Sequence, residues 1–401
     1  MTEVKILPLG ELCDPGRGIT YGIVKVGDFV PNGVPVIRGG DIRENRIVFD
    51  NEKRVTREVS EQFSRTILRG GELVINLIAE PGHSAIVPRE MAGFNVSRDV
   101  AVIPLDETVN HAYVNWYLKS SAAIEWLTAR LSGSVTQKIN IGVLREVPVP
   151  LPERRYQDSV AALMEALDEK MAINDRIGSA YEQLLQCKFA KLGLADEPDE
   201  ETAIPVTDLV TFNPKMVRPS SGEPIYVDMA ALRTSRAVIP SWSRRAPKSG
   251  PRFRNGDTLL ARITPCLENG KTGYVDFMED GEIGLGSTEF IVMRSAPGVP
   301  SHLSYFLARD ARFREHAIRN MVGSSGRQRV SAADAANYRV NRPEVHALVE
   351  FGNDAEVAFK HMKSLAAESR TLAVLRDTLL PQLMSGKLRV RDAERIVEDA
   401  V

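Results

Sequence analysis

The chain has 401 residues, 43% hydrophobic and 26% charged, with a formal net charge of -2; this ordinary globular composition leaves room for two or three domains with real cores and excludes a disordered or fibrous protein. Three widely spaced cysteines (Cys13, Cys187, Cys266) lack metal-ligand spacing and suit a reducing compartment. No basic-then-apolar leader opens the sequence and no run approaches the length of a membrane span, so a cytoplasmic protein without membrane contact is expected.

Charge is uneven along the chain. Residues 1–150 are net -1 and 343–401 net -2, whereas 151–201 carry 6 basic against 12 acidic side chains (net -6) and 202–342 carry 20 against 13 (net +7). The basic segment should meet a polyanion, and the acidic ones should meet protein.

In chain order, residues 1–150 hold short β-rich runs (Val34–Ile37, Leu73–Leu77, Ala101–Pro104) broken by Gly and Pro, which predicts an irregular mixed sheet with two or three helices. Residues 156–189 then read as one long helix, with Val160, Leu163, Leu167, Ile177, Tyr181 and Leu184 on a narrow stripe and charges elsewhere, as in a coiled-coil seam. Asn174 falls on an a-type position, where one buried amide costs stability but fixes register. The stretch 193–201 stops the helix with Gly and Pro and reads as a solvated acidic linker. Residues 202–342 return to short strands (Thr258–Ile263, Phe290–Met293). A second helix, from Phe351 to about Met384, places Phe351, Ala358, Leu365, Leu372 and Leu379 at sevens. The two helices should pair with each other, ahead of a tail at 391–401.

The halves also match one another. Setting Leu184-Leu185 over Leu379-Leu380 brings Pro148 over Pro343. Each globular part opens on an apolar-Pro-apolar strand (Leu7-Pro8-Leu9; Ile204-Pro205-Val206), continues with a Gly-acid-apolar strand from Gly71 or Gly256, and closes on a Gly-Ser loop at 133–138 or 323–329. This order implies duplication. The expected fold is therefore α+β: mixed α/β domains at 1–150 and 202–342, with helical spacers at 151–192 and 343–390 that zip into an intramolecular coiled coil.

Enzymatic motifs are missing. There is no phosphate-cradling GxxxxGK[ST] loop, no GxGxxG after a strand, and no pair of histidines at zinc spacing. Asn213-Pro214-Lys215 approaches the Asn-Pro-Pro-aromatic tetrapeptide of an amino-methyltransferase but lacks its second proline and its aromatic. No catalytic residue and no metal ligand is expected, which suggests a binder. Loops rich in Arg, Lys, Asn and Gln have the composition that reads bases and holds phosphates. They are Arg17, Thr20, Tyr21 and Lys25 with Arg38; Gln137 and Lys138; the stretch 233–254 with Arg236, Arg244, Arg245, Lys248 and Arg252; Arg262, Asn269 and Lys271; and Arg327, Gln328 and Arg329.

This order of segments resembles the specificity (S) subunit of type I restriction-modification systems. The motifs that carry the resemblance run from Arg17 to Ile23, Gly33 to Ile42, Gly133 to Ile139 and Val147 to Pro150, then from Asp257 to Lys271 and from Leu379 to Leu388. It covers nearly the whole chain. The Val147 to Pro150 passage departs from the family pattern, since Glu153 and Gln157 are separated by Arg154-Arg155-Tyr156. The resemblance implies two target-recognition domains that each read half of a split double-stranded DNA target. The paired helices would serve as a ruler and dock two methyltransferase (M) subunits, with two restriction (R) subunits as an optional addition. This chain would hold no cofactor, and S-adenosylmethionine, ATP and Mg would sit on the partners. A 34-residue helix spans about 50 Å, against about 34–36 Å for a turn of duplex, so the half-sites should lie more than a turn apart. The rival expectation is a coiled-coil scaffold or adaptor that binds protein and no DNA; it leaves the +7 segment idle. A nucleic-acid enzyme is disfavoured by the missing motifs.

Overall fold

The computed structural model describes residues 4–400 apart from 28–29, 44, 50–52, 134–135, 220–221, 247–248 and 325. The chain forms two compact units, residues 1–170 with 371–401 and residues 171–370. Both long helices, Arg154–Ala190 and Val345–Met384, contribute to each unit.

In the first unit a four-stranded antiparallel sheet runs in the order Thr20–Tyr21, Val100–Ile103, Leu73–Asn76, Ser84–Ile86. The two middle strands are buried at every residue. Such unbroken apolar runs are what strands covered on both faces require. A second sheet joins Val34–Ile37 to Arg54–Val55 and, in parallel, to Asn95–Val96. Lys5–Pro8 pairs with Pro148–Leu151, which returns the chain to its start just before the first long helix. Within this unit that helix lies antiparallel to the distal part of the second: Tyr156 Oη donates to the Leu383 carbonyl (2.9 Å), and Arg376 pairs with Asp168 at 2.8 Å.

The second unit repeats the plan. Its four-stranded antiparallel sheet has the order Val210–Phe212, Phe290–Ser295, Asp257–Ala261, Thr272–Tyr274, the same connectivity as the first, and Ile204–Pro205 pairs with Arg339–Val340 as the closing ribbon. A second sheet again holds one parallel pair, Ile225–Val227 with Gly284–Gly286. Here too the helices run antiparallel, with Tyr181 Oη 3.0 Å from His361 Nδ1 and Lys188 paired with Asp354. Phe189 lies 6.3 Å from both Phe306 and Phe351 (ring centroids), so the seam continues into the domain's own core.

The seam has the predicted heptad but a different second row. Val160, Leu167 and Asn174 are buried and Tyr181 is half-buried, with Phe351, Ala358, Leu365, Leu372 and Leu379 buried on the partner helix, as expected. Between them the helix turns in Met164 and Leu185, four residues on, rather than the residues three on. Leu163 and Ile177 are only partly covered, and Leu184 is 53% exposed, so its assignment to the seam is corrected. Asn174 Nδ2 donates to Glu368 (2.7 Å) and Ser369 (3.2 Å), while its Oδ1 is buried without a protein partner. That is the cost expected of a polar seam layer.

The acidic side chains of the stretch 193–201 are exposed, as expected of a solvated linker, but its backbone is pinned. Leu194 is buried in the second unit's core, and Asn341 ties down Gly193, Glu197 and Asp199. Residues 390–400, expected only as a tail, form a helix with Ala393 buried.

Candidate nucleic-acid interface

In both units the polar loops gather at the C-terminal end of a central strand. In the first, Ala79 N donates to the Gln137 carbonyl (3.2 Å) and Ile139 N to Leu77 O (2.9 Å), which sets exposed Gln137 and Lys138 beside the end of Leu73–Asn76. Arg38 follows Val34–Ile37 of the second sheet and is exposed, and the next amide, Gly39 N, donates to Asp99 (2.9 Å). A side chain at Gly39 would place its Cβ 2.2 Å from Asn76 Oδ1, so any other residue there would displace the Asn76 side chain. Thr20 is partly covered and Tyr21 is 48% exposed, both on the sheet's edge strand; Lys25 is exposed beyond it. Gly22 permits this path, since a Cβ would sit 1.8 Å from the Val96 carbonyl oxygen.

The second unit reproduces the arrangement bond for bond. Thr264 N donates to the Gln328 carbonyl (3.1 Å) and Val330 N to Arg262 O (3.0 Å), which joins Arg262 to the 327–329 loop. Arg329 holds Glu289 with both Nε and Nη2 (2.7–3.0 Å) and keeps that carboxyl below its usual range, with Arg262 and Arg327 adding smaller electrostatic effects. Arg327 is exposed, Gln328 is partly covered, and the buried Arg262 Nε has no protein partner. Asn269 is exposed, whereas Lys271 Nζ is spent on the Met229 carbonyl (3.0 Å).

Other expected contacts lie apart from these clusters. Arg17 is 7% exposed; it donates to Glu72 (2.7 Å) and to the Ile67 and Arg65 carbonyls (2.7 and 3.1 Å). It is a core strut, and its assignment to the DNA face is corrected. Arg236 grips Asp175 of the first long helix (2.9 Å), so its charge is already matched. Arg244 is exposed and paired with Glu282 (2.8 Å), and exposed Arg245 stacks on Tyr226 at 3.6 Å. Lys248, and Ser134, Val135 and Ser325 of the Gly-Ser loops, lie outside the described residues. Sequence reasoning passed over Lys215, which lines a cavity with Arg252 and Arg262; its only local signal was the turn-forming Asn213-Pro214 before it.

Among the described residues there is no group of three potential metal ligands, and no helix is long and apolar enough to cross a membrane. Two basic, donor-rich loop clusters built on duplicated sheets suit the reading of a polyanion.

Comparison with known proteins finds relatives of one kind. Residues 1–182 match the family described as Type I restriction modification DNA specificity domain. That match covers a little less than half of the chain and likens its first part to the specificity subunits of type I restriction-modification systems. The chain is 25% identical over 160 residues to the EcoBI specificity subunit of Escherichia coli, covering 40% of this chain and 34% of that one. It is 30% identical over 148 residues to the EcoEI subunit of the same organism, covering 35% and 24%. The matches therefore span about a third or less of those relatives. Similarity to the MjaIX specificity subunit of Methanocaldococcus jannaschii is 20% over 412 residues, 97% of this chain and 93% of that one. The crystal structure of a type I S subunit from M. genitalium shares the fold at a TM-score of 0.55 and 15% identity, covering 95% and 96% of the two chains. The relatives named here are specificity subunits of type I restriction systems, and the solved structure shares the fold.

Proposed function

We propose that this chain is the DNA-reading subunit of a type I restriction-modification complex, with no chemistry of its own. Each domain reads one half of an asymmetric, bipartite duplex target, and the antiparallel helices dock two methyltransferase subunits, to which two restriction subunits can add. S-adenosylmethionine, ATP and Mg then reside on those partners. The observation that carries the reading is the duplicated sheet with a loop cluster at the same strand end in each unit: Gln137 and Lys138 in one, Gln328 and Arg329 in the other. The two sets differ in side chains, which supports two different half-sites.

A salt titration of DNA binding tests this against a protein-binding scaffold. Phosphate contacts release counterions, so affinity should fall steeply and linearly in log-log form with salt. A chain with no measurable affinity for duplex at about 50 mM salt is a scaffold instead. Inserting four residues, about one helical turn, into the first long helix should lengthen the gap between half-sites. An unchanged gap removes the ruler role.

A further inference from the structure

A cavity of about 450 Å³ opens in the second domain, and among the described residues no acidic side chain lines it. Its cations are Lys215, Arg252 and Arg262. Lys215 is exposed, and Arg262 Nε is buried at the wall with no protein partner. Glu289 lies near enough for Arg262 to help lower its pKa, but that carboxylate is held on three contacts by Arg329, and the Arg262 Nε is left with no protein hydrogen-bond partner. Burying an unpaired charged donor is costly, and an acceptor-rich anion would relieve it.

The wall is built rather than incidental. Asn213 adopts φ +47° and exchanges two hydrogen bonds with Val292 (2.7 and 2.9 Å), which fixes the turn that carries Pro214 and Lys215. The next residue, Met216, is tied through its carbonyl to Arg252 and through its sulfur to Arg294 (3.1 Å). On the opposite side a Cβ at Gly250 would lie 2.0 Å from the Gly286 carbonyl, so the chain there tolerates only glycine. In the first domain, by the shared bonding pattern, Leu77, an apolar and buried residue, occupies the place of Arg262.

Given that the chain binds duplex DNA as argued above, we propose that this cavity seats a phosphodiester of the DNA backbone, with Arg262 and Lys215 as its cationic donors. The contact belongs to the second domain alone. It anchors and orients that domain on the strand and reads no base. Donors on several sides and the lack of any carboxylate lining suit an anion. A base edge, which presents donors as well as acceptors, would meet nothing in the lining that accepts through a charge.

The test uses the full chain, a duplex containing its target, and a random duplex of equal length, with affinity measured from about 50 to about 200 mM salt. Arg262→Gln and Lys215→Gln should each weaken binding to both duplexes by the same factor and make the log-log salt slope shallower by about 0.9. The gap between wild type and variant then narrows about threefold across that range. Lys215 is exposed, so its variant stands even if the change at Arg262 disturbs folding. An unchanged slope in the folded variants, or a loss confined to the target duplex, overturns the phosphate assignment while leaving DNA recognition intact. A wild-type chain that binds neither duplex overturns both.

Discussion

Arg17→Ala separates a structural arginine from a DNA-reading one. Both side chains of the Arg17–Glu72 pair are almost wholly buried, at 9% and 6% exposure, and Arg17 also holds two backbone carbonyls across the 65–67 turn. Removing one partner of a buried pair leaves the other charge uncompensated, which costs about 3–5 kcal/mol. Glu72 would keep only the Arg69 amide (2.8 Å), and its second oxygen is already without a partner. In a unit of this size each kcal/mol lowers Tm by about 2–4 °C, so the first unit should melt roughly 10 °C lower. Replacing both residues, as Arg17→Met with Glu72→Met, should recover most of that loss, since well-packed apolar groups substitute for buried pairs at little cost. The assay is denaturation followed by calorimetry, paired with the salt slope of DNA binding below the transition. If Arg17→Ala melts like wild type and instead binds DNA with a shallower slope, the residue faces phosphate and the burial argument is wrong.

Three further variants probe the seam and an internal amine. Leu185→Ala should cost about 2–5 kcal/mol through the cavity it opens, whereas Leu184→Ala should stay within about 0.5 kcal/mol; chemical denaturation of the two side by side reads the phase of the helix, and equal losses would refute it. Burial pushes the Lys119 amine down to about 7, an effect partly offset by Asp168, and its nitrogen has no hydrogen-bond partner. Because the folded state disfavours the charged form, stability is fully present above the unfolded value near 10.4 and is lost as pH falls towards 7. Lys119→Met should therefore raise Tm at pH 7, by up to about 4 kcal/mol of stability, and the gain should shrink towards pH 10. A gain equal at both pH values would show that packing, not charge, is responsible.

How much of this was legible in the sequence depends on how local each signal is. The heptad step survives because 160, 167, 174 and 181 are one turn of pattern apart whatever the partner does. The second row was misplaced because Leu163 lies beside Met164 and Leu184 beside Leu185; either neighbour is apolar, and only the partner helix decides which turns inward. The duplicated order of strand, helix and Gly-Ser loop was readable because each piece carries its own turn residues. Arg17 was misread for the opposite reason: its partner Glu72 is 55 residues away, and an arginine after a glycine-rich turn looks the same whether it faces solvent or a buried carboxylate. The cationic cavity was out of reach too, since Lys215, Arg252 and Arg262 come from three separate segments that only the fold brings together.

The central claim is best tested by mapping methylated bases in a host genome with and without this chain alongside the proposed methyltransferase partner. Two short, unlike sequence blocks separated by a fixed run of unspecified bases, vanishing when the chain is removed, are the predicted outcome. A continuous or palindromic motif, or a map indifferent to the chain, would contradict it.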